Sequence, residues 1–387
     1  MVHFGETLWF LPEVLMLRFS GLILLLAASG FLSQSNPKPV DATANNPMPS
    51  GSLGPASPML EPRSGHTATL LPDGKVLIVG GMRRNQDFYR SSELYDPVTG
   101  KFQAAGDMAI ARVGHAAVLL HSGKVLIVGG WVGHGETDSA EIYDPSTGKF
   151  STLAKMTSRR GRPAATLLTN GDVLITGGGA SYGPGGIASA ELFHAATDDF
   201  EPLGPMHSAR IAQTTTVLRD GRVLIAGGRA DSVTASAEIF DPATKKFTVT
   251  GNLLAARYKH SAGLLPDGRV LLAGGSDDRD WSGTMNSAEI YDPKNQTFTA
   301  ASPLNESRFK LPPEAVQLSS GQLLFAGGSK TVEVYDPASR KFLLAAGQID
   351  AARHFMTATK LNDGSVLLAG GYPDNDRAIN ETWIYHP

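Results

Sequence analysis

A Gly-Gly pair closes a short apolar run seven times in this chain: Gly80-Gly81, Gly129-Gly130, Gly177-Gly178, Gly227-Gly228, Gly274-Gly275, Gly327-Gly328 and Gly370-Gly371. Each pair lies six residues beyond a turn glycine, namely Gly74, Gly123, Gly171, Gly221, Gly268, Gly321 and Gly364. Successive copies are 43 to 53 residues apart, a period that belongs to repeat architectures in which each copy is one supersecondary unit.

The run before each pair is apolar at consecutive positions, as in Val125-Leu-Ile-Val128. A strand with one wet face would alternate, so this one is covered on both faces. Asp-Gly, Asn-Gly and Ser-Gly ahead of it are tight turns, where glycine supplies the positive φ. Upstream lies a second strand such as His115–Leu120. Downstream, a third ends at Tyr143-Asp144-Pro145 and a fourth opens on Phe150. The spacing from that Asp position to the next Phe is fixed, giving Phe102, Phe150, Phe200, Phe247, Phe298 and Phe342. Four antiparallel strands per unit cannot bury two apolar faces alone, whereas sheets arranged radially cover one another.

A turn glycine, a strand ending in Gly-Gly, a Tyr-Asp-Pro corner and a following aromatic resemble the kelch repeat, with Phe here where many kelch repeats have Trp. The resemblance covers residues 51–387. It implies an all-β fold, a seven-bladed β-propeller of four-stranded kelch-type blades, similar to galactose-oxidase-like propellers. A fold of this kind is a scaffold and does not fix a function.

The termini bear on how the ring closes. The last unit stops after its third strand, at Trp383–Pro387, while residues 51–60 read as an orphan fourth strand in which Leu53 takes the place of the Phe and Met59 precedes Arg63 by four. The N-terminal strand is therefore expected to complete the last blade. Ahead of it, residues 33–50 are rich in Pro, Asn and Ser and read as a flexible linker. Residues 1–32 contain Arg18, an apolar run over Phe19–Leu26 and the small residues Ala27-Ala28-Ser29, the pattern of a signal peptide. The alternative is an N-terminal anchor, though Pro12, Glu13 and Arg18 interrupt the longer apolar stretch. The expectation is an exported protein, periplasmic or extracellular. Net charge is −3 with acids and bases mixed, so nothing points to nucleic acid. There are no cysteines, which removes disulfides and thiolate metal sites.

Function is expected on the face carrying the loops after Gly-Gly and the segments leading into each first strand, because the other face holds only tight turns. Every unit places an arginine in that lead-in: Arg63, Arg112, Arg160, Arg210, Arg257, Arg308 and Arg353. A circle of guanidiniums would attract carboxylates. Six units also carry a third-strand glutamate (Glu93, Glu141, Glu191, Glu238, Glu289, Glu333), which fits a structural tie between blades instead. Departures from the repeat add Lys310 and Glu314, brought to the rim by a two-residue insertion within Phe309–Glu314. They also add the loop Asp277-Asp278-Arg279-Asp280-Trp281 and the aromatics Trp131, Tyr182 and Tyr372, with His134. The candidate ligand-binding rim is Arg112, Arg160, Arg210, Arg257, Arg308, Lys310, Arg353, Trp131, Trp281 and Tyr372. His66, His115 and His260 share one repeat position on separated units and read as buried hydrogen-bonders, so no metal, cofactor or catalytic residue is assigned.

Two functional readings follow. One is a non-catalytic module that binds an acidic glycan or a protein partner. The other is a metal-free carbohydrate-active enzyme, of sugar isomerase, mutarotase or lyase type, with Glu314 or an Asp of the 277–280 loop as its acid or base. The galactose-oxidase copper cofactor, which the resemblance brings to mind, needs a cysteine crosslinked to tyrosine, and this chain has no cysteine.

Overall fold

A computed structural model describes residues 50–133, 135–179, 185–373 and 377–387. The expected leader lies outside these residues, as do the linker up to residue 49, His134 and Tyr182. Among the described residues no helix is long and apolar enough to cross a membrane.

Seven four-stranded antiparallel sheets form the blades, numbered here in chain order from Thr67. Blade two is typical, with strands Ala116–Leu119, Val125–Val128, Ala140–Asp144 and Lys149–Thr152 from the axis outward. Its third and fourth strands pair Tyr143 with Phe150, and the rings meet at 4.9 Å. That pairing explains the fixed six-residue spacing. The corner aspartate accepts the N–H two residues on, as Asp144 does from Ser146, and closes a turn of constant length. Register then puts the aromatic opposite the tyrosine.

The second strands are fully buried, as their unbroken apolar runs require. Alternate residues serve different neighbours. Val125 and Ile127 pack with Leu77 and Val79 of blade one, while Leu126 and Val128 pack with Val173 and Ile175 of blade three. The core is thus a set of clusters between blades.

The N-terminal strand, Ser52–Ala56, pairs with Thr382–His386 and places Leu53 opposite Tyr385, the register the Phe residues take elsewhere. The sheet order of blade seven, from the outer edge inward, is this strand, Thr382–His386, Val366–Ala369 and Thr357–Lys360. Each Gly-Gly sits where adjacent blades nearly touch. A Cβ on Gly80 would come within 2.7 Å of the Arg112 carbonyl, so only glycine fits.

Candidate functional site

The repeat arginine is the first element of the site wall. Arg112 has no exposed surface. Its Nη2 meets Glu141 at 2.7 Å, and its Nη1 donates to the carbonyls of Gly129 and Ser139 at 2.9 and 3.2 Å. The other Glu141 oxygen accepts the Ala109 N–H at 2.7 Å, which pins the segment arriving from blade one. Arg63–Glu93, Arg160–Glu191, Arg210–Glu238, Arg257–Glu289 and Arg308–Glu333 repeat the brace at 2.6–2.9 Å. In blade seven Trp383 replaces the glutamate, and Arg353 lies 5.4 Å over its ring while meeting Asp350 at 2.5 Å.

The sequence left these arginines as either a circle around the funnel or structural partners of the third-strand glutamates. Six of the seven pair with those glutamates inside the wall, where backbone carbonyls and the carboxylate take most of their donors, while the Nε of Arg112, Arg210, Arg257, Arg308 and Arg353 has no partner among the described residues. The pairing also runs within a blade and not between blades. What joins blades is the arginine's own carbonyl, which accepts the N–H of the preceding blade's second glycine, as from Gly81 to Arg112 and Gly130 to Arg160 at 2.9 and 2.8 Å.

Two residues beyond each arginine the chain reaches the axis. Gly65, Gly114, Arg162, Ala212, Lys259, Lys310 and Phe355 all hold left-handed backbone, with φ between 53° and 61°. Their peptides link around the ring: Gly114 N–H donates to Gly65, Arg162 to Gly114, Lys259 to Ala212, Phe355 to Lys310 and Gly65 to Phe355, at 2.9–3.1 Å. At Lys259 the acceptor is reached by Leu311, next to Lys310, at 3.3 Å. This ring is the floor of the funnel.

Its side chains converge. Lys259 Nζ lies 3.0 Å from Asp280 Oδ1 and donates to the Tyr258 hydroxyl at 3.1 Å, and that hydroxyl donates to the same Asp280 oxygen at 2.5 Å. Lys310 Nζ sits 3.6 Å above the Trp281 ring and donates to the Tyr372 hydroxyl at 2.9 Å. Trp281 is held edge-on by Phe309 and His354 at 4.8 and 4.7 Å. Arg162 reaches from blade three to lie 3.9 Å over Phe355 of blade seven, and its guanidinium makes no hydrogen bond or ion pair with the described residues. The loop that brings in Asp280 and Trp281 is a 3-10 turn, Asp280–Gly283, with Asp280 itself at φ 50°.

Burial, reinforced by the nearby Arg162 and Arg229 charges and opposed by Asp280, lowers the Lys259 pKa to about 8. Burial likewise lowers Arg162 to about 10, although the guanidinium is only half-buried and faces the funnel. Burial raises Asp280, but Lys259 and the hydrogen bond from Tyr258 outweigh it and leave its carboxyl below the usual range.

The kelch motif matches residues 112–157 and 257–305, which correspond to blade two and blade five with their lead-in segments. The chain is a seven-bladed β-propeller that carries kelch motifs. No curated protein matches the sequence. Among solved structures the propeller is similar to a fungal alcohol oxidase of the AA5 family in complex with copper, with a TM-score of 0.72 and 17% identity over 87% of this chain and 76% of that one. At that identity the likeness is one of fold. Copper does not fit the side chains of this kelch propeller. Among the described residues no three His, Cys, Asp or Glu side chains converge, and the oxygens of Asp280 and Tyr372 are occupied by the ammonium groups of Lys259 and Lys310. The missing cysteine removes one cofactor and leaves the enzyme question open.

Of the expected rim residues, Lys310, Trp281 and Tyr372 do meet at the floor of the propeller, and Trp131 is half-buried beside it. Asp277 pairs with Arg279 at 2.6 Å and Asp278 accepts the Val233 N–H at 2.8 Å, so both shape loops. Glu314 lies just ahead of the innermost strand of blade six, Val316–Gln317, and bridges Ala262 of blade five. Burial raises its pKa, and it makes no hydrogen bond or ion pair with the described residues. His66, His115 and His260 each bond a threonine of the preceding blade's inner strand, Thr357, Thr67 and Thr214, at 2.9–3.0 Å. Arg162, Lys259, Tyr258 and Phe355 were not singled out from the sequence. Comparing the position two beyond each repeat arginine would have exposed three of them, since it reads Gly, Gly, Arg, Ala, Lys, Lys, Phe.

Proposed function

We propose that this propeller is a binding module for an anionic ligand, taken at the funnel floor, and that the protein works outside the cytoplasm. The observation that carries the reading is Arg162 on the floor ring, a half-buried cation whose guanidinium has neither hydrogen bond nor ion pair among the described residues. A half-buried guanidinium forfeits hydration that an arriving carboxylate or sulfate restores through forked hydrogen bonds. Lys259 and Lys310 add positive potential close by, and Asp280 balances one of these charges. The leader pattern in residues 1–32 supports export.

The second reading is a metal-free carbohydrate-active enzyme. It is favoured by the hydrogen-bonded Tyr258, Lys259 and Asp280, with an amine whose pKa is about 8 beside a phenol that can donate.

Thermal unfolding of the full chain against acetate, sulfate and acidic oligosaccharides at low and high salt tests the first reading. A ligand specific for the native ring adds about 2.7 kcal/mol at ~100-fold excess over its Kd. Stabilisation by anions that is lost in Arg162→Gln is the expected result. A panel of anions without effect sinks the proposal, and turnover that requires Lys259 replaces it with the enzyme.

A further inference from the structure

The floor ring is unevenly filled. Blades one, two and four contribute the small residues Gly65, Gly114 and Ala212 to the ring, while Arg162, Lys259, Lys310 and Phe355 carry large side chains there. Backbone conformation does not by itself demand glycine there, because those four larger residues hold φ of 53–57° in the same ring. At Gly114 the space is taken by a neighbour. A Cβ would lie 2.7 Å from the Trp131 ring and 3.5 Å from Arg162 Cγ, so the indole and the arginine stem flank one point. A Cβ on Gly161 would likewise run into the same indole, so this glycine also packs against the ring. Trp131 Nε1 donates to Glu136 Oε1 at 3.1 Å, which fixes the ring's orientation, and the side chain stays half-exposed.

A guanidinium that stacks on Phe355 but has no hydrogen-bonded or ionic partner among the described residues, beside an oriented and partly exposed indole, matches a ligand whose charge and apolar face are adjacent. We infer, resting on the anion reading above, that the ligand is a carboxylate-bearing pyranose of the hexuronic type, with its carboxylate on Arg162 and its ring against Trp131. The C–H face of a pyranose packs on an indole, and the carboxylate one bond away fits the guanidinium fork.

Calorimetric titration of the full chain with glucuronate, galacturonate, glucose, acetate and inorganic phosphate tests this. A hexuronate is expected to bind at least about tenfold tighter than acetate or glucose. Trp131→Ala reduces it to the acetate level and Arg162→Gln to the glucose level. Arg162→Lys suits the ring backbone, as Lys259 and Lys310 do, and loses about tenfold for want of the fork. Trp131→Phe keeps a stacking face and part of the affinity, which covers the case in which Trp131→Ala does not fold. Acetate binding as tightly as the hexuronates, unchanged by Trp131→Ala, overturns the sugar and leaves the anion site. Phosphate binding tightest reassigns the site to phosphate esters, and no binding by any anion removes both readings.

Discussion

The backbone N–H of Gly371 donates to the Arg63 carbonyl at 2.8 Å, joining the last blade to the first with the bond that joins Gly81 to Arg112 and Gly130 to Arg160. The closing junction is therefore chemically ordinary at the axis. What is special about it lies at the rim, where Ser52–Ala56 arrives from the other end of the chain to complete blade seven.

That division of labour predicts the effect of trimming the N-terminus. Removing residues 51–60 takes away the outer strand and also Met59, which is buried between blades one and seven. The loss is expected to be global, on the order of 5 kcal/mol and roughly 10 °C or more in melting temperature. Leu53→Ala, at a half-buried site opposite Tyr385, costs only about 1–2 kcal/mol. Calorimetry showing an unchanged transition after the deletion would rule the closing role out.

Breaking one brace tests the wall. Glu141→Gln leaves the Arg112 charge buried without its counter-ion and is expected to destabilise by about 3–5 kcal/mol in denaturant titration. Since this pair lies wholly inside blade two, anion binding in the surviving folded protein should be unchanged. A loss of binding without a loss of stability would put these arginines back at the ligand.

The inner-strand histidines predict an acid-sensitive ring. Burial, with the charge of Arg63 adding to it, lowers His66 to about 3, and burial likewise drives His115 and His260 well below the usual value. The folded imidazoles stay neutral while unfolded ones bind protons below pH 6.5, so acid favours the unfolded chain. Stability is full above pH 6.5 and falls as pH drops toward 3, by up to ~1.4 kcal/mol per pH unit for each histidine. Gln213 holds the same repeat position in blade four and bonds the Thr176 carbonyl. His115→Gln should accordingly flatten the pH–stability curve, and an unaltered slope would assign the sensitivity elsewhere.

Blade number, strand order and the closing strand were legible because they rest on local rules repeated from blade to blade: a turn glycine and a double-covered strand in all seven, an aspartate corner in five, and a fixed register. The Arg–Glu partners were legible as well, but not their direction. Repetition shows that Arg112 and Glu141 recur together and is silent on whether the guanidinium points to water or into the wall. The carbonyls of Gly129 and Ser139 that settle it belong to the backbone. The floor was mostly hidden for a different reason. Arg162 and Phe355 belong to blades three and seven and meet only because the ring closes, so no spacing along the chain records their contact. Lys310 stood out only because the insertion beside it breaks the period.

Glu314 gives a prediction of the opposite sign to the histidines. Desolvation of its carboxyl raises its pKa and the side chain makes no ion pair with the described residues, although the residue as a whole is exposed, so the effect is small. A carboxyl raised in the fold contributes stability at low pH that is lost as pH climbs from the unfolded value near 4.5 through the folded one. Glu314→Gln is therefore expected to leave stability unchanged in acid and raise it near neutrality. A drop at neutral pH would mean that the carboxylate has a stabilising partner.

Lys259 supplies the pH signature of the site itself. Its pKa of about 8 is set chiefly by burial, with Asp280 holding it up against Arg162 and Arg229. Charge on the amine supports an anionic ligand, so affinity should fall as pH rises through about 8 and level off once Lys259 is neutral. Asp280→Asn removes the support and moves that midpoint downward. It also removes a negative charge from the floor, so affinity at lower pH, where Lys259 remains charged, should increase. Titrations of one anion across pH in both proteins separate these effects. Lys259→Met should abolish the dependence near pH 8 while leaving the Arg162 contact in place. If the wild type and Lys259→Met share the same pH profile, Lys259 lies outside the ligand's field and the floor reduces to Arg162 and its aromatic neighbours.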